Sequence, residues 1–321
     1  QGKSPGYLSF TPDGRWLVTG GDDGARLWDA QTWREAAVVW TGAARGVGFS
    51  EHPARVYVAG RDKWRAWELP AQLTAGRALP RTDIAWSQPA GDIRKGMVEP
   101  RSGRWFALER DRLPNRTVLR IGSVNGNVIR ELHIDSAAAA NIAVSPDGRW
   151  AACGTWKGSD IWVADLTADT RARRLLHPGD TNVEFSPDSH YLVISGVSNF
   201  RFLETGTWRE AKVIPRDRSD PSAGEIAFAH RADLAALIVS RSRIRLVDWE
   251  SGREFATLST AEERHVSTIA FAPDDRHLVA ASTDHHLLVW DLVMLRAQLT
   301  ELDLIDGNEA TIVPAAIAKR P

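Results

Sequence analysis

One arrangement of apolar and polar residues returns along the chain. Each copy is a short apolar run, a polar turn of the Pro-Asp-Gly type or a degraded version of it, and a second apolar run. The copies are LSFTPDGRW, VGFSEHPARV, MVEPRSGRW, IAVSPDGRW, VEFSPDSHY, IAFAHRADL and IAFAPDDRH. Their spacing, measured between Phe10, Phe49, Val98, Val144, Phe185, Phe228 and Phe271, is about 40 to 50 residues. The chain is therefore built from seven related units.

The first unit contains four candidate strands. They lie near Tyr7–Phe10, Trp16–Thr19, Arg26–Asp29 and Ala36–Val39, and turn-forming residues separate them. Strands this short and apolar bury both faces, so each unit needs a neighbouring sheet on either side. A closed ring supplies those neighbours. The pattern predicts an all-β fold, a seven-bladed β-propeller of four-stranded antiparallel blades.

The C-terminal segment has a different period. Leu292, Leu295, Leu299 and Leu302 recur at helical spacing, which predicts a helix of about three turns. The same residues could instead supply the outer strand of the seventh unit, and the pattern leaves both possibilities open. We divide the chain into a propeller, residues 1–293, and a C-terminal helix and tail, residues 294–321, that packs on the propeller or closes it.

The phrase TPDGRWLVTGGDDGARLWDAQTWRE resembles a repeat of the bacterial WD-repeat family. The Trp-Asp pair of that family stands at Trp28-Asp29 and Trp290-Asp291, and as Trp67-Glu68 in the second unit. The resemblance covers about residues 6 to 292, and similar propellers occur in multidomain signalling proteins. It implies structural roles for Trp28, Trp67 and Trp290. It also implies a hydrogen-bonded His, Ser/Thr, Asp and Trp set, of which unit seven offers Ser282, Asp284 and Trp290.

Charge and composition narrow the range of partners. The chain of 321 residues carries 40 Lys+Arg and 41 Asp+Glu, so no global field attracts nucleic acid. No apolar run is long enough to span a bilayer, and we expect no membrane insertion. We expect a monomer or part of a larger multidomain chain. We expect it to lie in the cytoplasm; a location outside the cytoplasm remains open if a membrane helix lies upstream in the parent protein.

No motif for catalysis or for cofactor binding stands out. Metal-ligand spacings, phosphate-cradling glycine loops and nucleophile motifs are missing from the sequence. His285 and His286 are adjacent, so in a strand they point to opposite faces and cannot share one metal. Cys153 is the single cysteine and has no His beside it. We expect no enzyme activity, no cofactor and no metal.

Loops on one rim of the propeller, its top, offer the candidate binding site. The turns between second and third strands and the connections between blades gather there. Trp and Arg dominate binding energetics at many interfaces, so we select Trp64, Trp86 and Trp156 as anchors, although each ring could instead pack within its own blade. The predicted partner-binding residues are Arg45, Arg61, Trp64, Trp86, Arg110, Trp156, Arg241, His285 and His286. Trp33 and Trp208 recur in matching turns and are predicted to pack at the opposite, bottom edge.

These observations favour a non-catalytic scaffold that binds a protein or peptide. A second hypothesis is a ligand- or peptide-sensing domain of a bacterial signalling protein such as a Ser/Thr kinase. A propeller hydrolase or lectin is a third and more remote reading.

Overall fold

Seven antiparallel sheets succeed one another along the chain and form a propeller, as the repeat predicts. The computed structural model describes residues 5–70, 79–82, 84, 91–123, 125–156, 158, 160–176, 179–217, 223–231, 233–301 and 311–312. Blade one consists of β1 (Pro5–Phe10), β2 (Trp16–Gly21), β3 (Gly24–Asp29) and β4 (Arg34–Trp40). Blade two consists of β5 (Gly46–Ser50), β6 (Arg55–Ala59), β7 (Trp64–Glu68) and β8 (Arg81–Thr82). Blade three consists of β9 (Ile93–Val98), β10 (Trp105–Arg110), β11 (Thr117–Gly122) and β12 (Val128–Ile134).

The remaining blades follow in the same order. Blade four consists of β13 (Ala139–Val144), β14 (Trp150–Thr155), β15 (Asp160–Asp165) and β16 (Arg173–Leu176), and blade five of β17 (Asn182–Phe185), β18 (Tyr191–Ser195), β19 (Asn199–Glu204) and β20 (Glu210–Pro215). Blade six consists of β21 (Ile226–Phe228), β22 (Leu234–Ile238), β23 (Arg243–Asp248) and β24 (Glu254–Ser259). Blade seven consists of β25 (Val266–Phe271), β26 (His277–Ser282) and β27 (Leu287–Asp291). The inner strand β1 contacts both β5 and β25, so the first and last blades meet and close the ring.

A helix follows the third strand of blade seven. Helix α1 (Leu292–Glu301) begins where the Asp291 carboxylate accepts the N–H groups of Val293 and Met294, both at 3.0 Å, which is an N-cap. Leu295 is buried against the core shared by blades six and seven. The structure thus decides between the two readings of this segment. Beyond the helix, β28 (Thr311–Ile312) pairs in parallel with β24 of blade six.

In blade one, the equivalent aspartate is followed by a strand and not by a helix. Asp29 also accepts two backbone N–H groups, from Gln31 at 3.0 Å and Thr32 at 2.8 Å. Trp33 then adopts a positive φ of 56°, which reverses the chain and starts β4. Both aspartates therefore organise a first turn, and the residues after that turn select a strand or a helix.

Trp33 and Trp208 occupy equivalent places at the bottom edge, as predicted. Trp33 packs edge-on against His277 of blade seven, with ring centroids 5.4 Å apart. Trp208 of blade five packs edge-on against Trp150 of blade four at 5.0 Å. Each ring thus covers the first residue of the second strand in the preceding blade, which ties neighbouring blades together.

The predicted polar set of blade seven does not form. Ser282 Oγ donates to Asp284 and accepts the N–H of His286, so it closes a turn. Trp290 Nε1 is buried without a hydrogen-bond partner. In blade one, by contrast, Trp28 Nε1 donates to Thr19 Oγ1 at 3.0 Å. The strand register explains the difference, because the position equivalent to Thr19 in blade seven is Ala280 rather than Ser282.

Candidate functional site

The top face is assembled from the residues that end and begin strands. In the part of the chain that the structure describes, four inner strands carry a register irregularity close to this rim, at Gly6, Arg94, Ala140 and Ser267. An extra residue in one strand bends it and changes the direction of its side chain. The rim therefore presents side chains in directions that simple alternation along a strand does not predict.

Trp64 is not an exposed anchor. It is the first residue of β7, and only 3% of it is accessible to solvent. Its ring lies 6.0 Å from the ring of Trp105 in blade three, and a Cβ on Gly96 would come within 2.7 Å of its Cζ2. The glycine leaves the space that the indole fills. Our prediction of a surface role for Trp64 is therefore wrong, and Trp86 lies outside the described residues.

Trp156 is a large exposed ring on the top face. It follows β14, and 61% of its surface is accessible. Its backbone N–H donates to the carbonyl oxygen of Ala138 at 2.9 Å, which fixes the base of the side chain against the connection between blades three and four. A well-placed backbone and an uncovered indole are the features of an aromatic anchor.

Several top-face arginines are paired with carboxylates. Arg45 lies 3.1 Å from Asp22, and Arg61 lies 3.9 Å from Asp92. Arg61 remains largely exposed, whereas Arg45 is half-buried. The backbone also joins blades two and three at this point of the rim, because the carbonyl oxygen of Arg61 accepts the N–H of Ile93 at 2.8 Å.

Arg94 and Arg110 lie next to this sector in blade three. Arg94 is half-buried, and its guanidinium donates to the carbonyl oxygen of Ala137. Arg110 is exposed at the end of β10, and its N–H donates to the carbonyl oxygen of Asp92 at 3.0 Å. Burial and the charge of Arg110 lower the pKa of Arg94. Arg61, Arg110 and Trp156 thus fall in one sector of the rim, over blades two to four.

The other predicted residues lie in blades six and seven. Arg241 is exposed, and its carbonyl oxygen accepts the N–H of Val266 at 2.7 Å. His285 has a positive φ of 69°, and its Nδ1 is buried without a hydrogen-bond partner. His286 Nδ1 lies 2.9 Å from Arg264 Nη1 and 3.2 Å from the Asp284 carboxylate. His286 is therefore engaged within its own blade.

Asp284 is the centre of that local network. Burial raises its pKa, but the hydrogen bond from Ser282 and the charges of His286 and Arg264 outweigh burial, and the net pKa is lowered. Arg264 also binds Glu262 at 2.6 Å. The network stabilises the turn, and the two adjacent histidines take different places in it.

Charged residues inside the ring were missed by the sequence reasoning. Lys95 lies on β9, Glu184 on β17, and Glu225 directly before β21, so inner strands of blades three, five and six supply them. The Lys95 ammonium lies 4.5 Å from the ring centroid of Tyr7 in blade one. Blades one and three are not adjacent, so the lysine side chain crosses the central channel.

The channel environment changes the ionisation of these groups. Burial is the main cause that raises the pKa of Glu184 to about 7, against the hydrogen bond from the Phe185 N–H. Glu225 accepts a hydrogen bond from Thr268 Oγ1 at 2.6 Å, and burial raises its pKa as well. The signal in the sequence was the presence of charged residues in otherwise apolar inner strands.

Comparison with known proteins bears on the family. A family model for the WD domain, G-beta repeat, matches residues 6–29 and 252–291, which lie in blade one and in blades six and seven. These matches sit within a ring of seven blades. The chain is a WD-repeat β-propeller.

A solved structure and a sequence search complete the comparison. The propeller is similar to a chain titled Kuenenia stuttgartiensis Hydrazine Synthase, with a TM-score of 0.69 over 91% of this chain and 96% of that chain. The sequence identity is 13%, so the likeness shows the fold alone. A search of curated protein sequences found no match.

Within the described part of this WD-repeat propeller, no three His, Cys, Asp or Glu side chains are grouped to hold a metal ion. Cys153 is buried, and burial raises its pKa to about 12, which disfavours the thiolate. No helix among the described residues is long and apolar enough to cross a membrane.

Proposed function

We propose that this propeller is a non-catalytic module that binds a protein partner on the top face, around Trp156. The exposure of the Trp156 ring carries the proposal. The indoles of Trp64 and Trp105, in contrast, are buried between blades. A ring that leaves 61% of its surface in water costs solvation free energy unless a partner covers it.

The surroundings of the ring support a protein partner. Arg61 and Arg110 are exposed in the same sector, and Trp and Arg are the residue types most enriched at binding hot spots. The strands pack against the neighbouring blades, so the loops and rims provide the surface that remains for a partner. The WD-repeat fold is compatible with this role.

The test uses Trp156→Ala with Phe255→Ala as a matched control. Phe255 is an exposed aromatic residue on the outer strand of blade six, away from the top face. Proteins captured from the native cell extract are identified, and the affinity of the captured partner is measured for each variant. We expect Trp156→Ala to weaken binding by about 2 kcal/mol or more and Phe255→Ala to leave it unchanged.

Thermal unfolding of the same variants separates binding from folding. Trp156→Ala should change stability by no more than about 0.5 kcal/mol, because a surface ring supports no core. The proposal is abandoned if Trp156→Ala retains full affinity, or if its loss of affinity follows a loss of folded protein.

A further inference from the structure

Arg94 and Trp156 are attached to the same short segment of chain. The guanidinium of Arg94 donates to the carbonyl oxygen of Ala137 and approaches that of Ala139 at 3.5 Å. The carbonyl oxygen of Ala138, between them, accepts the N–H of Trp156. A positive charge and an exposed indole therefore flank residues 137–139 at the junction of blades three and four.

Neither Arg94 nor Arg110 has a carboxylate partner among the described residues. Arg45, Arg61 and Arg65 show the contrast, since each pairs with an aspartate. Arg94 uses its Nη1 on backbone carbonyl oxygens, which carry no full charge to balance it. Their strands are joined here, because the N–H of Arg110 donates to the carbonyl oxygen of Asp92 at 3.0 Å, and the charge of Arg110 disfavours that of Arg94. An anionic group placed between them would relieve this repulsion.

A guanidinium binds a carboxylate well, because its planar N–H groups match the two carboxylate oxygens. The indole of Trp156, whose backbone is bonded to the same 137–139 segment as Arg94, offers a flat apolar surface at this junction. The arrangement therefore suits a ligand that presents a carboxylate and an apolar side chain a short distance apart. A peptide with Asp or Glu near a bulky apolar residue has that chemistry.

A polyanion fits the same rim poorly. The carboxylates of Asp62, Asp92 and Asp135 are all more than half exposed on this part of the top face. They would repel a continuous phosphate backbone, whereas a peptide can place one or two carboxylates between them. The net charge of −1 gives no compensating long-range attraction.

We propose that Arg94, Arg110 and Trp156 form the recognition site for an acidic peptide segment of the partner. The carboxylate binds the arginine pair and the adjacent apolar side chain covers the indole. This inference rests on the proposed function and specifies the chemistry of the partner.

The experiment selects random displayed peptides on the intact immobilised protein, and the affinities of individual selected peptides are then measured by fluorescence anisotropy. The variants are Arg110→Gln, Trp156→Ala and, as a matched control on the bottom face, Arg34→Gln, whose side chain is also exposed. Arg110 is preferred to Arg94 because Arg94 also holds the loop carbonyl oxygens.

We expect the selected peptides to combine Asp or Glu with an apolar residue. Arg110→Gln should weaken their binding about tenfold, the value of one charge-assisted hydrogen bond. Arg34→Gln should leave binding unchanged, and added salt should weaken binding to the wild type more than to Arg110→Gln.

Two negative outcomes separate the two proposals. If the peptides are neutral or basic but still require Trp156, the acidic specificity is wrong and top-face binding stands. If no selected peptide loses affinity in Trp156→Ala, the top-face site itself is wrong.

Discussion

Replacing Trp64 with Ala tests the packing between blades two and three. The indole lies among buried residues of both blades, and its ring centroid is 6.0 Å from that of Trp105. Gly96 of β9 faces the ring, and a side chain there would come within 2.7 Å of Cζ2. The space that the indole fills is thus walled on one side by backbone, which cannot close in easily after truncation.

The expected cost follows from this confinement. Truncation of a buried Trp to Ala removes about 3 to 5 kcal/mol of stability, and the upper part of this range applies where the cavity cannot collapse. An unfolding entropy of about 2.1 cal/mol/K per residue, over a chain of 321 residues, is about 0.7 kcal/mol/K. The thermal midpoint should therefore fall by about 4 to 8 °C.

Calorimetry of Trp64→Ala, Trp156→Ala and wild type measures this difference. Trp156→Ala is the control, and its midpoint should stay within about 1 °C, since an exposed substitution costs no more than about 0.5 kcal/mol. A midpoint for Trp64→Ala within about 1 °C of wild type would refute the packing described here. It would place that ring on the surface, where the sequence alone had placed it.

Three further predictions concern ionisation and the C-terminal helix. Glu184→Gln should raise the free energy of unfolding more at pH 8 than at pH 4. The folded-state pKa of Glu184, about 7, exceeds the ordinary 4.5, so the stability of the wild type is lost as the pH rises through this folded-state pKa. Equal gains in urea unfolding at both pH values would contradict this prediction. Asp291→Asn should destabilise the protein more at pH 7 than in acid, because the hydrogen bond from Arg276 lowers the pKa of Asp291 and the stability from this shift is lost as the pH falls; a pH-independent difference would contradict this. Leu295→Ala should cost about 2 kcal/mol and increase binding of an apolar dye, whereas Met294→Ala, on the exposed side of the helix, should do neither.

Local chemistry in the sequence determined the seven-bladed ring. Pro-Asp-Gly turns and short apolar strands can be predicted from windows of about ten residues. Because the pattern repeats seven times, a closed ring is the arrangement that buries every sheet face. The helical spacing of Leu292, Leu295 and Leu299 was equally local. The choice of helix over a fourth strand needed the structure, because Asp29 and Asp291 begin their turns with the same pair of hydrogen bonds.

Burial on the top face was decided only by tertiary structure. Trp64 begins β7 after a turn, and Trp156 directly follows β14 before a turn, so both lie at the strand ends of the same rim. Trp64 is buried because blade three presents Gly96 and Trp105 to it, whereas 61% of the surface of Trp156 is accessible to solvent. Lys95, Glu184 and Glu225 likewise influence one another's ionisation because three separate blades surround one channel. Contacts between blades join residues far apart in the chain, so their partners are fixed by the closure of the ring and not by the neighbouring sequence.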